Sequence, residues 1–444
     1  MANQKNVLMI APYFVPRRRV GAIRPFKFST HLHEFGWSPT LIAIKSDTGS
    51  LTNLEEELLK TVQVHELETP LDRTHKSGGQ LGESGAESSP SISKIITENV
   101  SSFIDRNFPI DTWLPFFYTR YNHIREIARE ANPDVIFSTG DPWSAHWVAQ
   151  KLKKDLSLPW VADFRDPWTL SNVSLKERTT FSSAMDRYWE RKVMKTADWL
   201  TFTSRNTCSL YQGEYPFITD KSSTIYNAYD YALYEAAREK YELLNMEDQN
   251  LNIIFWGKFR KLSPVDGVIE ILKAVEITNP DLVKNIKIHS FGEISEADIE
   301  LARGEGFEEQ FIAHEPMPPE SALSVLNQAD IQLVSTAMER KDIIPAKLWD
   351  YLAANPPILS IAPNPEIRQI LEETKSGKQY DLRKDIDRLV EVLVQCVNAK
   401  RNGIPIPLER AKSDQDFKLY DAGSITKQLS ELFEHLTSDK PHVS

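Results

Sequence analysis

Two aspartates and a lysine lie close together around the start of a predicted helix in the second half of the chain. Pro345 suits the first helical turn, where its missing N–H group needs no partner. Lys347 and Asp350 follow three positions apart and share one helix face, while Asp342 lies in the preceding loop. Carboxylates accept hydrogen bonds from sugar hydroxyls, whereas lysine and the free N–H groups of a helix start bind anions. The pattern suits a ligand that carries both a polyol and a phosphate; an ordinary helix with a surface ion pair is the alternative.

A glycine followed by several cations forms a second candidate site. Gly257 directly follows a short apolar strand, and Lys258, Arg260 and Lys261 come after it. Glycine lets the backbone approach a ligand closely, and clustered cations bind a pyrophosphate. A solvated basic loop is the alternative interpretation.

The loop after the first predicted strand is also basic. It contains Arg17, Arg18 and Arg19, and then Gly21 and Arg24 at the start of a helix. Free N–H groups at Gly21 suit an anion, and the arginines suit an acceptor phosphate or anionic lipid headgroups. The alternative is again a solvated loop.

Charged side chains follow another predicted strand, at 160–164. Asp163, Arg165 and Asp166 lie where this strand ends, so one of them could orient an acceptor hydroxyl. An internal arginine–aspartate pair that braces the loop is equally compatible with the sequence. His146 enters a helix after a turn of small residues, and a structural role is favoured for it over acceptor binding.

The elements that position these residues alternate between strand and helix. Continuous apolar strands between helices indicate a parallel sheet that is covered on both faces. Strands are predicted at 7–11, 40–44, 135–139, 160–164, 199–203, 224–226, 253–256, 286–291, 331–334 and 358–361. The sequence therefore predicts an α/β protein with two Rossmann-like domains that face each other across a cleft, where open sheets bind ligands.

The predicted domain limits follow changes in composition. The first domain covers 1–235 and the second covers 250–410, with a polar segment between them. A last helix within 415–444 is expected to dock back on the first domain. The Gly/Ser-rich residues 75–93 predict a mobile surface loop. Neither half contains GxGxxG, which disfavours a dehydrogenase-type dinucleotide site.

Composition excludes several other classes of protein. The formal net charge of −11 argues against general binding of nucleic acids. Two cysteines make a disulfide framework implausible, and the ten scattered histidines show no metal-ligand spacing. The chain has no apolar run long enough for a transmembrane helix, and its first residues lack the pattern of a signal peptide. We therefore expect a cytoplasmic protein without a bound metal or cofactor.

The residues from Asp342 to Asp350, continuing into Tyr351-Leu-Ala, resemble the carboxylate-x7-carboxylate region of family 4-like glycosyltransferases of the GT-B fold. Further segments resemble other parts of that family in the same order, namely residues 11–28, 138–146, 159–168, 197–204 and 225–230. The resemblance implies a nucleotide-sugar donor in the second domain and an acceptor in the first.

The resemblance also assigns roles to individual residues. Asp350 would bind the ribose hydroxyls and Asp342 the transferred sugar, although both are Glu in the commoner pattern. Asn227 would join the donor contacts, and Lys258 matches a phosphate-binding cation. The family's second cation falls at 264–266, where this chain has none, and Arg260 or Lys261 would replace it. Arg165 falls near a position where many relatives carry a catalytic-site histidine.

Taken together, the sequence predicts a retaining, metal-independent glycosyltransferase of bacterial envelope or exopolysaccharide synthesis. The expected acceptor is a glycan, a lipid-linked molecule or another anionic molecule, and peripheral contact with the inner face of the membrane is left open. Two alternatives remain, a nucleotide-sugar epimerase of similar fold and a catalytically silent scaffold.

Overall fold

The computed structural model forms two compact units. It describes residues 4–17, 20–46, 49–69, 106–171, 178–231, 233–234, 246–260, 262–292, 294–317, 321–341, 343–408, 410 and 418–438. The first unit comprises residues 1–228 and 422–444, and the second comprises 229–421. The predicted mobile loop at 75–93 lies outside the described residues.

A seven-stranded parallel sheet forms the centre of the first unit, in the order β3-β2-β1-β4-β5-β6-β7. Its strands are β1 (Lys5–Ile10), β2 (Trp37–Ile44), β3 (Gln63–Leu67), β4 (Val135–Gly140), β5 (Trp160–Phe164), β6 (Trp199–Phe202) and β7 (Ser222–Thr224). The central strands are apolar on both faces because helices cover both sides of the sheet.

The helices of this unit divide between those two faces. They are α1 (Val20–His31), α2 (Asn53–Leu58), α3 (Leu114–Ala131), α4 (Ser144–Leu156), α5 (Thr180–Thr196) and α6 (Arg205–Glu214), with the C-terminal helix described below. Side chains alternate between faces along a strand. Ile136 belongs to the core cluster under α3 to α6, whereas the ring of Phe137 lies 6.0 Å from Phe28 of α1.

A six-stranded parallel sheet forms the centre of the second unit, in the order β10-β9-β8-β11-β12-β13. Its strands are β8 (Leu251–Phe255), β9 (Ile286–Phe291), β10 (Phe311–His314), β11 (Ile331–Val334), β12 (Ile358–Ser360) and β13 (Gly377–Gln379). Its helices are α7 (Asp266–Thr278), α8 (Pro280–Val283), α9 (Glu296–Gly304), α10 (Ala322–Leu326), α11 (Lys347–Ala353), α12 (Pro365–Glu373) and α13 (Leu382–Arg401). Buried apolar side chains of α7 and α13 pack on one face of this sheet.

The last helix, α14 (Ala422–Ser438), belongs to the first unit although it follows the whole of the second. The ring of Phe433 lies 5.3 Å from Trp37 and 6.1 Å from Phe137, and Lys5 forms an ion pair with Glu434. The face of β1, β2 and β4 that α1 leaves open is therefore closed by the end of the chain. The two parallel α/β sheets confirm the predicted fold class.

Candidate functional site

A buried ion pair occupies the carboxyl-terminal part of β5 in the first unit. Asp163 is fully buried, and its two oxygens accept hydrogen bonds from Arg24, from Nε at 3.0 Å and from Nη2 at 2.9 Å. The hydroxyls of Thr139 and Thr201 donate to the same carboxylate at 2.8 and 2.7 Å. Burial alone raises the pKa of Asp163, but the charge of Arg24 and these hydrogen bonds outweigh it and hold the pKa below its usual range.

The guanidinium of Arg24 has no N–H group left for a ligand in this arrangement. Besides its bonds to Asp163, Nη2 donates to the carbonyl of Ile225 at 2.8 Å. Nη1 donates to the carbonyl of Tyr226 at 2.6 Å and to Oδ1 of Asn227 at 3.3 Å. All five donors of the guanidinium are thus used inside the first unit. Arg24 braces the segment that contains Asn227. The sequence is also compatible with an arginine–aspartate pair between Arg165 and a neighbouring aspartate, and in the structure Arg24 forms such a pair with Asp163.

Arg165 packs on the helix start at Gly21. Its Nε donates to the carbonyl of Gly140 at 3.1 Å, and its Nη2 donates to the carbonyl of Asp141. A Cβ atom at Gly21 would lie 2.2 Å from Nη1 of Arg165, so the missing side chain makes room for the guanidinium. The structure therefore brings Gly21 and Arg165 together at the carboxyl edge of the sheet, with Asp166 exposed beside them.

His146 is fully buried below the same edge. Its Nδ1 lies 2.8 Å from Oγ of Ser138, which also accepts a hydrogen bond from Trp160. Its ring stacks on Phe164 with 4.9 Å between centroids. Burial lowers the pKa of His146 to about 3. The imidazole is therefore neutral at physiological pH and has no path to an acceptor.

Only part of the predicted basic loop can be placed. Arg17 is half-buried, with Nη2 3.3 Å from the carbonyl of Lys45 and the guanidinium 5.3 Å from the ring centroid of Tyr13. Arg18 and Arg19 lie outside the described residues. Arg17 thus contacts Tyr13 of its own loop and the residue that follows β2, and it retains solvent contact.

The glycine-and-cation segment of the second unit follows β8 as predicted. Gly257 has a φ of 107°, a conformation that favours glycine. Lys258 and Arg260 are exposed to solvent, and the stem of Lys258 lies against Gly292, where an added Cβ would come within 3.2 Å. Lys261 lies outside the described residues.

Lys347 joins this segment to the start of α11. Its Nζ lies 3.2 Å from the ring centroid of Phe255 and 4.0 Å from the position of a Cβ at Gly257. Burial lowers the pKa of Lys347 well below its usual range, and the charge of Arg260 lowers it further against the opposing effect of Asp350. A half-buried amine with a depressed pKa beside a half-buried glycine backbone is suited to take up an anion.

Asp350 lies one turn further along α11, and the phenol of Tyr234 donates to its Oδ1. Tyr234 is buried, and both burial and the negative charge of Asp350 raise its pKa well above the usual range. The phenol stays protonated and orients the carboxylate. Asp342, the other predicted sugar-binding residue, lies outside the described residues.

Two further residues hold α11 against the sheet. The buried hydroxyl of Tyr351 accepts a hydrogen bond from the backbone N–H of Trp256 at 2.7 Å and donates to the carbonyl of Leu333 at 3.0 Å. Arg410 donates to the carbonyls of Tyr351 at 3.2 Å and of Leu352 at 2.5 Å. These contacts fix the distance between the start of α11 at Lys347 and the segment after β8. The prediction that Pro345 lies in the first helical turn is wrong, because α11 begins two residues later, after Ala346 as its N-cap.

Sequence reasoning missed Tyr234 and Arg410. Neither belongs to a motif, and each acts on α11 across more than fifty residues of chain. Tyr351 is part of the family-like segment that follows Asp350, but the sequence did not predict the two hydrogen bonds of its hydroxyl. Within the described ranges, no group of three or more His, Cys, Asp or Glu side chains is arranged to hold a metal ion.

Residues 50–233 match the model of the family described as Glycosyltransferase Family 4. A comparison with curated proteins gives no match.

Solved structures share the fold of the whole chain. A sucrose-phosphate synthase from Thermosynechococcus elongatus is similar with a TM-score of 0.64 and 13% identity, over 98% of this chain and 100% of that one. A glycosyltransferase from Rickettsia africae has a TM-score of 0.59 and 12% identity, over 99% and 100%. A putative UDP-N-acetylglucosamine 2-epimerase from Listeria monocytogenes has a TM-score of 0.52 and 13% identity, over 99% and 98%. At these identities the likeness concerns the fold, and it agrees with the predicted GT-B class.

Proposed function

We propose that this chain, whose residues 50–233 match the model described as Glycosyltransferase Family 4, is a nucleotide-sugar-dependent glycosyltransferase. In this proposal it transfers a sugar to an acceptor hydroxyl with retention of anomeric configuration and without a metal ion. The observation that supports this proposal most directly is the grouping of Gly257, Lys347 and Asp350 in the second unit. Backbone, ammonium and carboxylate there match the diphosphate and the ribose of a nucleotide-sugar donor.

The donor diphosphate would be held by cations. As the bond between the anomeric carbon and the phosphate oxygen breaks, negative charge grows on the leaving diphosphate. Lys347 and the neighbouring Lys258 and Arg260 stabilise that charge, with Lys261 as a further predicted contact. In this proposal the three described cations act where other enzymes use a divalent ion.

Retention follows if the acceptor attacks from the side that the diphosphate leaves. The acceptor oxygen bonds to the anomeric carbon, and its proton passes to an oxygen of the departing diphosphate. No side-chain base is then needed. A mechanism without a side-chain base agrees with the first unit, where Asp163 is paired with Arg24 and His146 is buried and neutral.

The two predicted carboxylates provide the main test of the donor site. Asp350→Ala removes the proposed ribose contact, so calorimetry should show weaker binding of the nucleotide diphosphate. Asp342→Ala should leave nucleotide diphosphate binding unchanged and weaken binding or turnover of the complete sugar nucleotide. Both variants binding every ligand as the wild type does would contradict the assignment.

Metal independence has its own test. Sugar transfer should persist in excess EDTA, because the cations around Lys347 supply the positive charge. Loss of transfer in EDTA with recovery on adding manganese or magnesium would show that the leaving-group assignment is wrong.

For the acceptor we propose a lipid-linked or otherwise anionic molecule of bacterial envelope or exopolysaccharide synthesis. Arg17, Arg18 and Arg19 on the loop after β1 support this proposal through their charge. Replacing all three by Ser should abolish acceptor use and leave donor binding intact. Unchanged acceptor turnover in the triple variant would favour a neutral acceptor.

One assay separates the transferase from the two alternatives. A transferase hydrolyses its donor slowly when no acceptor is present, an epimerase isomerises the donor, and a scaffold does neither. The product of donor incubated with the protein alone therefore distinguishes the three functions.

A further inference from the structure

We propose that the outer face of α3, α4 and α5 in the first unit docks on an anionic lipid bilayer. The proposal rests on the proposed function only in its purpose, which is to bring a lipid-linked acceptor to the enzyme. The docking itself can be tested without any transferase assay.

The three helices form one layer on the sheet. Between α3 and α4, the rings of Tyr121 and Trp147 lie 6.0 Å apart. Between α4 and α5, the amide of Gln150 donates to the hydroxyl of Thr196 at 2.7 Å. The inward side chains of all three helices belong to one core cluster under the sheet. Their other side therefore forms a continuous outer surface, which we call the α3–α5 face.

Large aromatic side chains stand out from this layer into solvent. Tyr118 on α3 is 68% exposed, and on α5 Phe181 is 67% and Tyr188 57% exposed. Phe108, which precedes α3, is 40% exposed. Single exposed apolar residues need no explanation, but several aromatic rings on one layer indicate an interaction surface. Aromatic rings are enriched at the level of lipid headgroups, where the ring can enter the bilayer boundary.

The same layer is basic in a chain that is acidic overall. The three helices contain ten Lys and Arg residues against five Asp and Glu, a formal +5, whereas the whole chain carries −11. Two of those five acids, Asp186 and Glu190, are buried, so they contribute little to the outer face. Arg187 and Arg191 are exposed on α5, where Arg187 adjoins Tyr188 and Arg191 follows it by three positions, and Arg120 is exposed on α3. Exposed rings with interspersed cations are the composition of an interfacial surface for anionic lipids.

The position of the rings also fits a membrane-bound acceptor. In a parallel sheet, a helix that leads into the next strand runs from the carboxyl edge of the sheet back to its amino edge. Helix α3 leads into β4, α4 into β5 and α5 into β6, so all three helices begin near the carboxyl edge. Tyr118 is in the second turn of α3 and Phe181 in the first turn of α5. The rings therefore cluster towards the edge that carries Arg165 and Gly21. A bilayer touching this face would lie next to the predicted acceptor site.

None of the helices that the structure describes is long and apolar enough to cross a bilayer. The lipid contact that we infer is one of surface rings and charges. Cations near an anionic membrane are attracted to it, and added salt weakens this attraction.

Co-sedimentation with vesicles tests the proposal. The wild-type chain should pellet with vesicles that contain phosphatidylglycerol and much less with pure phosphatidylcholine, and the binding should weaken as salt is added. The triple variant Tyr118→Ser, Phe181→Ser, Tyr188→Ser should bind the anionic vesicles at least tenfold more weakly. The double variant Arg187→Glu, Arg191→Glu should lose a similar or larger factor.

Two controls keep the result interpretable. Ile277→Ser removes a side chain that is 83% exposed in the second unit and should leave vesicle binding unchanged. Unchanged donor binding by calorimetry and an unchanged circular dichroism spectrum would show that the variants are folded.

Three outcomes would overturn the docking surface: a wild-type chain that ignores anionic vesicles, α3–α5 variants that bind them like the wild type, or a wild-type dimer that the triple serine variant loses. None of these outcomes would contradict the proposed transferase activity, because that activity is measured separately with donor alone.

Discussion

The guanidinium of Arg24 and the carboxylate of Asp163 form a buried two-point ion pair that joins α1 to β5, at 2.9 and 3.0 Å. The same guanidinium holds the backbone of Ile225 and Tyr226 beyond β7. The side chain of Arg24 thus connects α1, strand β5 and the segment that follows β7.

Arg24→Leu should therefore destabilise the protein strongly. Losing one member of a buried ion pair leaves the other charge buried and unpaired, which typically costs about 3–5 kcal/mol. Urea denaturation measures the change in the free energy of unfolding. Lys45→Gln, which removes the exposed ion pair with Glu68, is the matched control and should have no measurable effect.

The ion pair between Arg24 and Asp163 also predicts how the free energy of unfolding changes with pH. Because Arg24 keeps the pKa of Asp163 below its unfolded value, the stabilisation is present at neutral pH and is lost as the pH falls through the folded pKa. The difference in stability between the wild type and Asp163→Asn should accordingly shrink under strongly acidic conditions. A difference that stays constant down to that range would argue against the ionised pair.

Tyr234→Phe should weaken binding of a nucleotide diphosphate by roughly tenfold, since a hydrogen bond to a charged group contributes about 1.5–3 kcal/mol. The phenol fixes one oxygen of Asp350, and without it the carboxylate loses the orientation proposed for ribose binding. Calorimetry measures the affinity. Tyr420→Phe is the matched control, because that phenol also donates to a carboxylate of the second unit, Glu373, at 3.2 Å. If Tyr234→Phe bound the nucleotide diphosphate as tightly as Tyr420→Phe does, Tyr234 would have no role in donor binding.

Lys347 should take up a proton when a nucleotide diphosphate binds. Its pKa is lowered well below the usual range in the free protein, and a diphosphate favours the charged ammonium. The affinity for the nucleotide diphosphate should fall as the pH rises above the pKa that Lys347 has in the free protein. Calorimetry in buffers of different ionisation enthalpy detects the proton, and Lys347→Met should abolish the uptake. A binding enthalpy that is independent of the buffer would contradict this prediction.

His146 should contribute no step to the pH dependence of the reaction between pH 5 and 8. Burial lowers its pKa to about 3, so the ring stays neutral throughout that interval. The pH–rate profile of His146→Gln should keep the shape of the wild-type profile even if its level drops. A step near neutral pH that disappears in His146→Gln would restore His146 as an acceptor-binding residue.

The fold could be predicted well where strands are buried on both faces. Strands such as β1 and β4 contain continuous apolar runs, Val-Leu-Met-Ile and Val-Ile-Phe, which the sequence shows directly. The strands that were missed, β3, β10 and β13, all lie at an edge of their sheet. Edge strands pair on one side only. The strand β3 carries the polar residues of Gln-Val-His-Glu-Leu, and β10 and β13 have only four and three residues, so these strands lack that signal.

The candidate site could be predicted in its local parts only. The spacing of Lys347 and Asp350 and the glycine at 257 are visible in the sequence because each lies within one turn or one loop. The assignment of Arg24 as an acceptor contact shows the limit, since its partners Asp163 and Tyr226 are more than a hundred residues away. A long-range partner decides whether a charge is available, and spacing along the chain carries no information about it.

The position of α14 determines when this protein can finish folding. During synthesis the first unit leaves the ribosome without the helix that covers Trp37 and Phe137, and some two hundred residues of the second unit must follow before that helix is made. Until then an aromatic face of β2 and β4 is open to water and to other nascent chains. The second unit is under no such delay, because its sheet is encoded in one uninterrupted stretch. A chain that stops just before α14 would consequently leave the first unit, and not the second, dependent on chaperones.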